Sequence, residues 1–193
     1  SGIGSHIAKK FSKEGLIACC VRRTDQKKLD GLINEIRNER GSKNAAHGFL
    51  IDATNEEQLS GVVSQIEHDI GPISASIYNL GCNMGPRLLQ DTPTKVFDNA
   101  LKIGAKGAFL MAQAVAPAMK QRKQGTLIFT GATASMRGQA NQHAHSAGMF
   151  ARRALAQSLA HELSQHNVHV AHVVVDGMVD APDTLGRMFP AAV

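Results

Sequence analysis

A chain of 193 residues with 43% apolar side chains is long enough to bury the core of one domain, and its composition is that of an ordinary globular protein. The net charge of +5 comes from Lys and Arg scattered over helical segments, and with one Tyr, no Trp and seven Phe there is no base-stacking platform, which argues against a nucleic-acid role. The apolar runs 16–21 and 173–175 fall far short of the roughly 20 residues that a bilayer crossing needs, no signal-like segment opens the chain, and Cys19, Cys20 and Cys82 make neither a disulfide framework nor a metal spacing. The expectation is a protein of a reducing compartment, the cytoplasm, with no membrane partner.

In chain order, Ser1-Gly2-Ile3-Gly4 runs directly into a helical segment. Backbone amides at such a positive helix end can meet a pyrophosphate, and glycines permit the close approach, although half a glycine motif before a helix is more often simply a tight turn. A strand is expected at 16–21, then a helix over 25–40 with Leu29, Leu32, Ile33 and Ile36 on one stripe and a stop at Gly41. A second strand covers 46–52. The next helix, 55–70, opens on a capping box of Thr54 and Glu57, carries Leu59, Val62, Val63, Ile66 and Ile70 on one face, and ends at Gly71-Pro72. Strands at 74–79, 126–130 and 168–175 alternate with Ala-rich helices over 94–119 and 141–166. Strand and helix alternating throughout predicts one α/β domain over 1–193, a doubly wound parallel sheet with helices on both faces.

Several of these segments together resemble the short-chain dehydrogenase/reductase family over nearly the whole chain. Residues 1–4 are similar to the tail of its Thr-Gly-x-x-x-Gly-x-Gly motif, Asp52-Ala53 to its Asp-Val pair beside the adenine, and Tyr78-Asn79-Leu80-Gly81 to its Asn-Asn-Ala-Gly turn. Gly107-Ala108-Phe109 with Gln113 and Pro117, Gly125-Thr126-Leu127-Ile128 and the stretch 154–163 add to the likeness. The resemblance implies a Rossmann-like fold whose first strand and C-terminal part lie outside this sequence, which is then a fragment in which 16–21 and 74–79 are not direct neighbours. It also implies a nicotinamide cofactor contacted by Ser1, Gly2, Ile3, Gly4, Arg22, Asp52, Ala53, Asn79, Gly81 and Val179. Val21 stands where members preferring NAD carry a ribose-binding acid, and Arg22 follows it, so NADP(H) is favoured over NAD(H); Arg22 and Arg23 solvating a strand end is the other reading. Helices 94–119 and 141–166 correspond to those through which the family assembles, which implies a homo- or hetero-oligomer.

In the family, a Tyr donates the proton, a Lys four residues later lowers its pKa and holds the ribose, a Ser polarises the carbonyl and an Asn supports the proton relay. Carried over one position at a time, Asn falls on Gly104, Ser on Ala132, Tyr on His145 and Lys on Met149. The one tyrosine of the chain is Tyr78, so no Tyr-x-x-x-Lys motif exists. Loss of the cation at Met149 removes a charge-assisted contact of about 1.5 to 3 kcal/mol. Asp176-Gly177 replaces the family's Pro-Gly, and Ala181 the Thr at its carboxamide contact. His145 offers a substitute acid, Arg153 a cation one turn deeper, and Thr130, Thr133 or Ser135 a substitute hydroxyl. No metal site is expected, because His169 and His172 point to opposite faces of a strand. The reading is a family member with weak or no turnover. Its rivals are an active oxidoreductase of a small carbonyl or alcohol working through His145, and a non-catalytic structural or regulatory subunit.

Overall fold

The computed structural model describes residues 2–82, 84–177 and 179. The chain divides into two compact units, one within residues 2–58 and one over Leu59–Gly177.

In the first unit, helix α1 spans Ile3–Lys13, strand β1 Ala18–Arg22, helix α2 Gln26–Arg40 and strand β2 Ala46–Leu50. Gly2 caps α1 in extended backbone: the Ser5 hydroxyl donates to the Gly2 carbonyl at 2.8 Å and accepts from the Gly2 amide at 3.1 Å. The helix ends before Gly15, whose φ of +103° is costly for any residue with a Cβ, and Leu16 bonds back to the Phe11 carbonyl. Leu16 and Ile17 are consumed in leaving this cap and lie exposed, which is why the strand begins two residues later than the apolar run suggests. β1 and β2 pair in parallel, Cys20 opposite Gly48. A Cβ at Gly48 would lie 2.9 Å from Leu29 Cγ, so the missing side chain lets α2 settle on the sheet. Leu29, Ile33 and Ile36 bury there with Ala18, Ala45 and Ala46, as the helical stripe predicts.

Helix α3 covers Glu56–Gln65 and continues as a π turn, Ile66–Ile70, closed by Gly71 at φ +142°. The capping oxygen that takes the Gln58 amide, at 3.0 Å, belongs to Asn55, while the Thr54 hydroxyl donates to Asp52.

The second unit carries β3 Ala75–Tyr78, α4 Thr94–Leu101, α5 Gly107–Arg122, β4 Gly125–Ala132, α6 His143–Ser164 and β5 Val168–Val175. Among the described residues β3, β4 and β5 form a parallel sheet in that order, with Tyr78 opposite Phe129 and Ile128 opposite Ala171. In this sheet β3 has β4 as its ladder partner, and in the other sheet β1 has β2, so each has one unpaired edge among the described residues. The span expected as one helix over 94–119 is interrupted by a π turn at Lys102–Lys106, between α4 and α5. A π turn releases carbonyls from the regular ladder. Those of Ile103 and Gly104 accept from side chains instead, and Gly104 lies against the backbone of Gly148 on α6. Elsewhere in the unit Arg122 grips Glu67 bidentately at 2.8 and 3.2 Å, and both bond to the backbone of Ile73.

Candidate functional site

The expected cofactor contacts of the first unit sit at the C-terminal ends of its strands and at the start of α1. The first amides of α1 have no carbonyl partners earlier in the helix, and a Cβ built at Gly2 meets nothing within 4 Å among the described residues, which leaves space beside this positive helix end. Ser1, also expected here, lies outside the described residues. Arg22 closes β1 and is exposed; its Nε donates to the Thr24 carbonyl at 2.9 Å and its Nη2 stands 3.9 Å from the Asp25 carboxylate. A phosphate there would compete with a loose ion pair. Asp52 follows β2, and its Oδ1 accepts from both the amide and the hydroxyl of Thr54, at 2.9 and 2.6 Å, while Ala53 is buried beside it. The carboxylate thus shapes its own turn.

In the second unit Asn79 and Gly81 follow β3, and a Cβ at Gly81 would also meet open space. Cys82, next in the chain, is fully buried, and its Sγ lies 3.4 Å from Nδ1 of His145 in the first turn of α6. One turn further along α6, Met149 is only 4% exposed and packs with Cys82 and Ala134, with Met84, Ile103 and Ala132 around them. Positions 132, 145 and 149 are therefore brought together, and around 132 and 149 the floor is apolar. Gly104 joins them through α6: a Cβ there would lie 2.7 Å from three backbone atoms of Gly148, and one at Gly148 would lie 2.5 Å from the Ala100 carbonyl oxygen. Val179 is exposed, and Ala181 lies outside the described residues.

The charge states follow from burial. It pushes the Cys82 thiol pKa up, with Arg152 opposing, and pushes the His145 imidazole down, with the Cys82 backbone opposing and Arg152 adding to the fall. Both shifts favour a neutral thiol beside a neutral imidazole, not a thiolate–imidazolium pair. A ring with a lowered pKa holds few protons at neutral pH and is a poor acid. Two of the three substitute hydroxyls are engaged: Ser135 is buried and accepts from the Ala132 amide at 3.1 Å, and Thr133 donates to Asp176.

The buried cation of this region is Arg152, not Arg153. Arg153 is half-buried and reaches the Ser135 carbonyl at 3.4 Å. Arg152 is 1% exposed; it donates to the carbonyls of Gly104 at 2.9 Å, Thr130 at 2.8 Å, Leu80 at 2.8 Å and Ile103 at 3.2 Å, and stacks 4.8 Å above the centroid of the Tyr78 ring. Tyr78 in turn donates to the Ile103 carbonyl at 2.7 Å. Sequence reasoning passed over Arg152, Cys82 and Gly148. The signal for the first was its spacing, since His145, Met149, Arg152 and Ala156 fall on one helical stripe, where an Arg among buried residues demands acceptors.

Parallel β–α units, a glycine turn opening the first helix and a floor formed where strands β3 and β4 end define a doubly wound α/β protein of the dinucleotide-binding kind. The family model described as short chain dehydrogenase matches residues 1–187, and the chain belongs to that family. It is 26% identical over 171 residues to the 3-ketodihydrosphingosine reductase of Bos taurus, covering 88% of this chain and 51% of that protein, so it spans about half the relative's length. A metagenomic short-chain oxidoreductase solved in complex with NADP superposes with a TM-score of 0.83 at 27% identity, covering 94% of this chain and 80% of the other. An NAD+-bound xylitol dehydrogenase superposes with a TM-score of 0.87 at 26% identity, covering 94% and 68%.

Proposed function

We propose that this chain is a nicotinamide-cofactor-binding member of its family that takes NADP(H) in preference to NAD(H) and turns over a small carbonyl or alcohol only weakly or not at all. The observation that carries the reading is the burial of Met149 among Cys82, Ala134 and Ala132, where the resemblance would have a ligand-facing lysine. Within the first unit, the open space beside Gly2 among the described residues leaves room for a phosphate at the start of α1. By the family resemblance, the amides of Gly2, Ile3 and Gly4 would hold the cofactor's pyrophosphate, Arg22 the 2′-phosphate and Asp52 with Ala53 the adenine side, and Asn79, Gly81 and Val179 would contact the remainder. The bound nicotinamide supplies or takes a hydride. The residues at 104, 132 and 149 can neither hold nor hand over a proton, and burial lowers the His145 pKa, which leaves it a poor acid at neutral pH. The complex with NADP of one family structure supports the preference, as does Arg22, although another member of the family holds NAD+.

Fluorescence titration with NADPH and NADH, followed by a carbonyl panel under saturating NADPH, tests the reading. Tight NADPH binding with turnover near the uncatalysed rate is expected. Brisk turnover abolished in His145→Ala would instead establish the active rival.

A second reading, a structural or regulatory subunit, is favoured by the exposed rings of Phe97 on α4, Phe109 on α5 and Phe150 on α6. Absence of NADPH binding together with assembly in solution would leave that reading standing alone.

A further inference from the structure

A guanidinium that is 1% exposed normally faces a carboxylate, because an unpaired buried charge is costly. Arg152 has none among the described residues; its partners are the carbonyls of Leu80, Ile103, Gly104 and Thr130 and the ring of Tyr78. Those carbonyls belong to the ends of the three segments that carry the site. Leu80 lies two residues before Cys82, Gly104 is itself a site position, and Thr130 lies two before Ala132.

We infer that Arg152 is the positioning residue of this site, an internal cation that fixes the segments bearing Cys82, Gly104 and Ala132 and thereby excludes a second cation at position 149. This deepens the proposed function, and rests on it only in taking these positions as the site. Arg152 and Met149 are three residues apart on α6, both buried, and Cys82 lies close to both. A lysine replacing Met149 would bring a second positive charge onto one helical stripe with no carboxylate to balance either. The hydrogen bonds explain why Arg152 keeps its place: its planar fork serves four carbonyls at once, whereas a lysine ammonium has three donors on a single nitrogen and cannot span them. The loss of the family's lysine here is then coupled to the gain of the arginine, and restoring position 149 alone does not restore a working site.

The test is a double-mutant cycle of Met149→Lys with Arg152→Gln, read by thermal melting, with Met149→Gln as the uncharged control. Met149→Lys is expected to lower Tm by about 5–10 °C more than Met149→Gln at pH 7. That excess should shrink in the Arg152→Gln background. It should also shrink in the native background as pH rises towards about 10, where the added amine loses its proton. The pH series keeps the test decisive if Arg152→Gln does not fold. A Met149→Lys protein as stable as Met149→Gln, or an excess independent of both Arg152 and pH, overturns the exclusion.

Positioning has its own readout in the alkylation of Cys82, followed by peptide mapping against Cys19 and Cys20 as internal controls. Arg152→Gln should raise the Cys82 rate at least about tenfold over the controls, and Arg152→Lys should recover part of the protection. Equal acceleration of all three thiols would mean general loosening and would refute the local role. If Arg152→Gln does not fold, Arg152→Lys is read alone, and unchanged Cys82 protection there refutes it equally. Failure to bind NADPH would defeat the proposed function while leaving both readouts intact.

Discussion

Gly104 and Gly148 hold their positions for each other. With a Cβ at Gly104 only 2.7 Å from the Gly148 backbone, no small rotation of a side chain relieves the clash, and α6 itself must move. Gly104→Asn, the substitution that restores the family's residue, should cost about 1–3 kcal/mol or more by overpacking, seen as a lower midpoint in urea. Gly81→Ala, beside open space, should leave the midpoint unchanged. His145 gives the residue-scale pH prediction. Its folded pKa is lowered by burial, so the unfolded chain binds more protons, and the stability it contributes is present above the unfolded value of about 6.5 and lost as pH falls below it. Melts from pH 8 to 5 should steepen less for His145→Gln than for the native chain, with His172, whose pKa burial also lowers, accounting for part of what remains.

At the scale of elements, the two π turns are what periodicity could not reveal. Leu59, Val62, Val63 and Ile66 keep helical spacing into Ile66–Ile70, and the Ala-rich 94–119 stretch contains no proline before Pro117, so both read as unbroken helices. The bulge at Lys102–Lys106 is set by tertiary partners, Arg152, Tyr78 and Gly148, that lie far away in sequence. The strands fared better because their β-branched and apolar runs are bounded by turns; β5 agrees end to end, whereas β4 extends to Ala132 because Gly131 and Ala132 continue to pair with Val174 and Val175. Motif spacing pointed to positions 132, 145 and 149, which the fold brings together, but not to their environment, since nothing local announces that Cys82 faces His145. Where α3 ends, Glu67 and Arg122 bind each other and the Ile73 backbone with both side chains largely buried. Glu67→Gln should therefore cost about 1.5–3 kcal/mol in urea denaturation. Lys10→Ala, which breaks the exposed Lys10–Glu14 pair, should give no measurable change.

For the molecule as a whole, the helices of the second unit leave apolar side chains exposed. Phe97, Phe109 and Phe150 are each more than a third exposed, and Phe109 lines an open hollow with Leu101, Ala105 and Leu155, edged by Asp98, Lys102 and Lys106. Single exposed apolar residues need no explanation, but an open apolar hollow holding an exposed ring and edged by charge has the composition of an association surface. The rim carries both signs, so a self-complementary arrangement can set Asp98 of one copy against the lysines of another. If this face joins two copies, a carboxylate in place of the Phe109 ring must weaken it, because it removes the apolar contact and has to be desolvated in an apolar hollow. Light scattering should report an assembly for the native chain and a monomer for Phe109→Glu, with NADPH affinity unchanged between them. A Phe109→Glu chain of undiminished mass would show that α5 does not carry the contact.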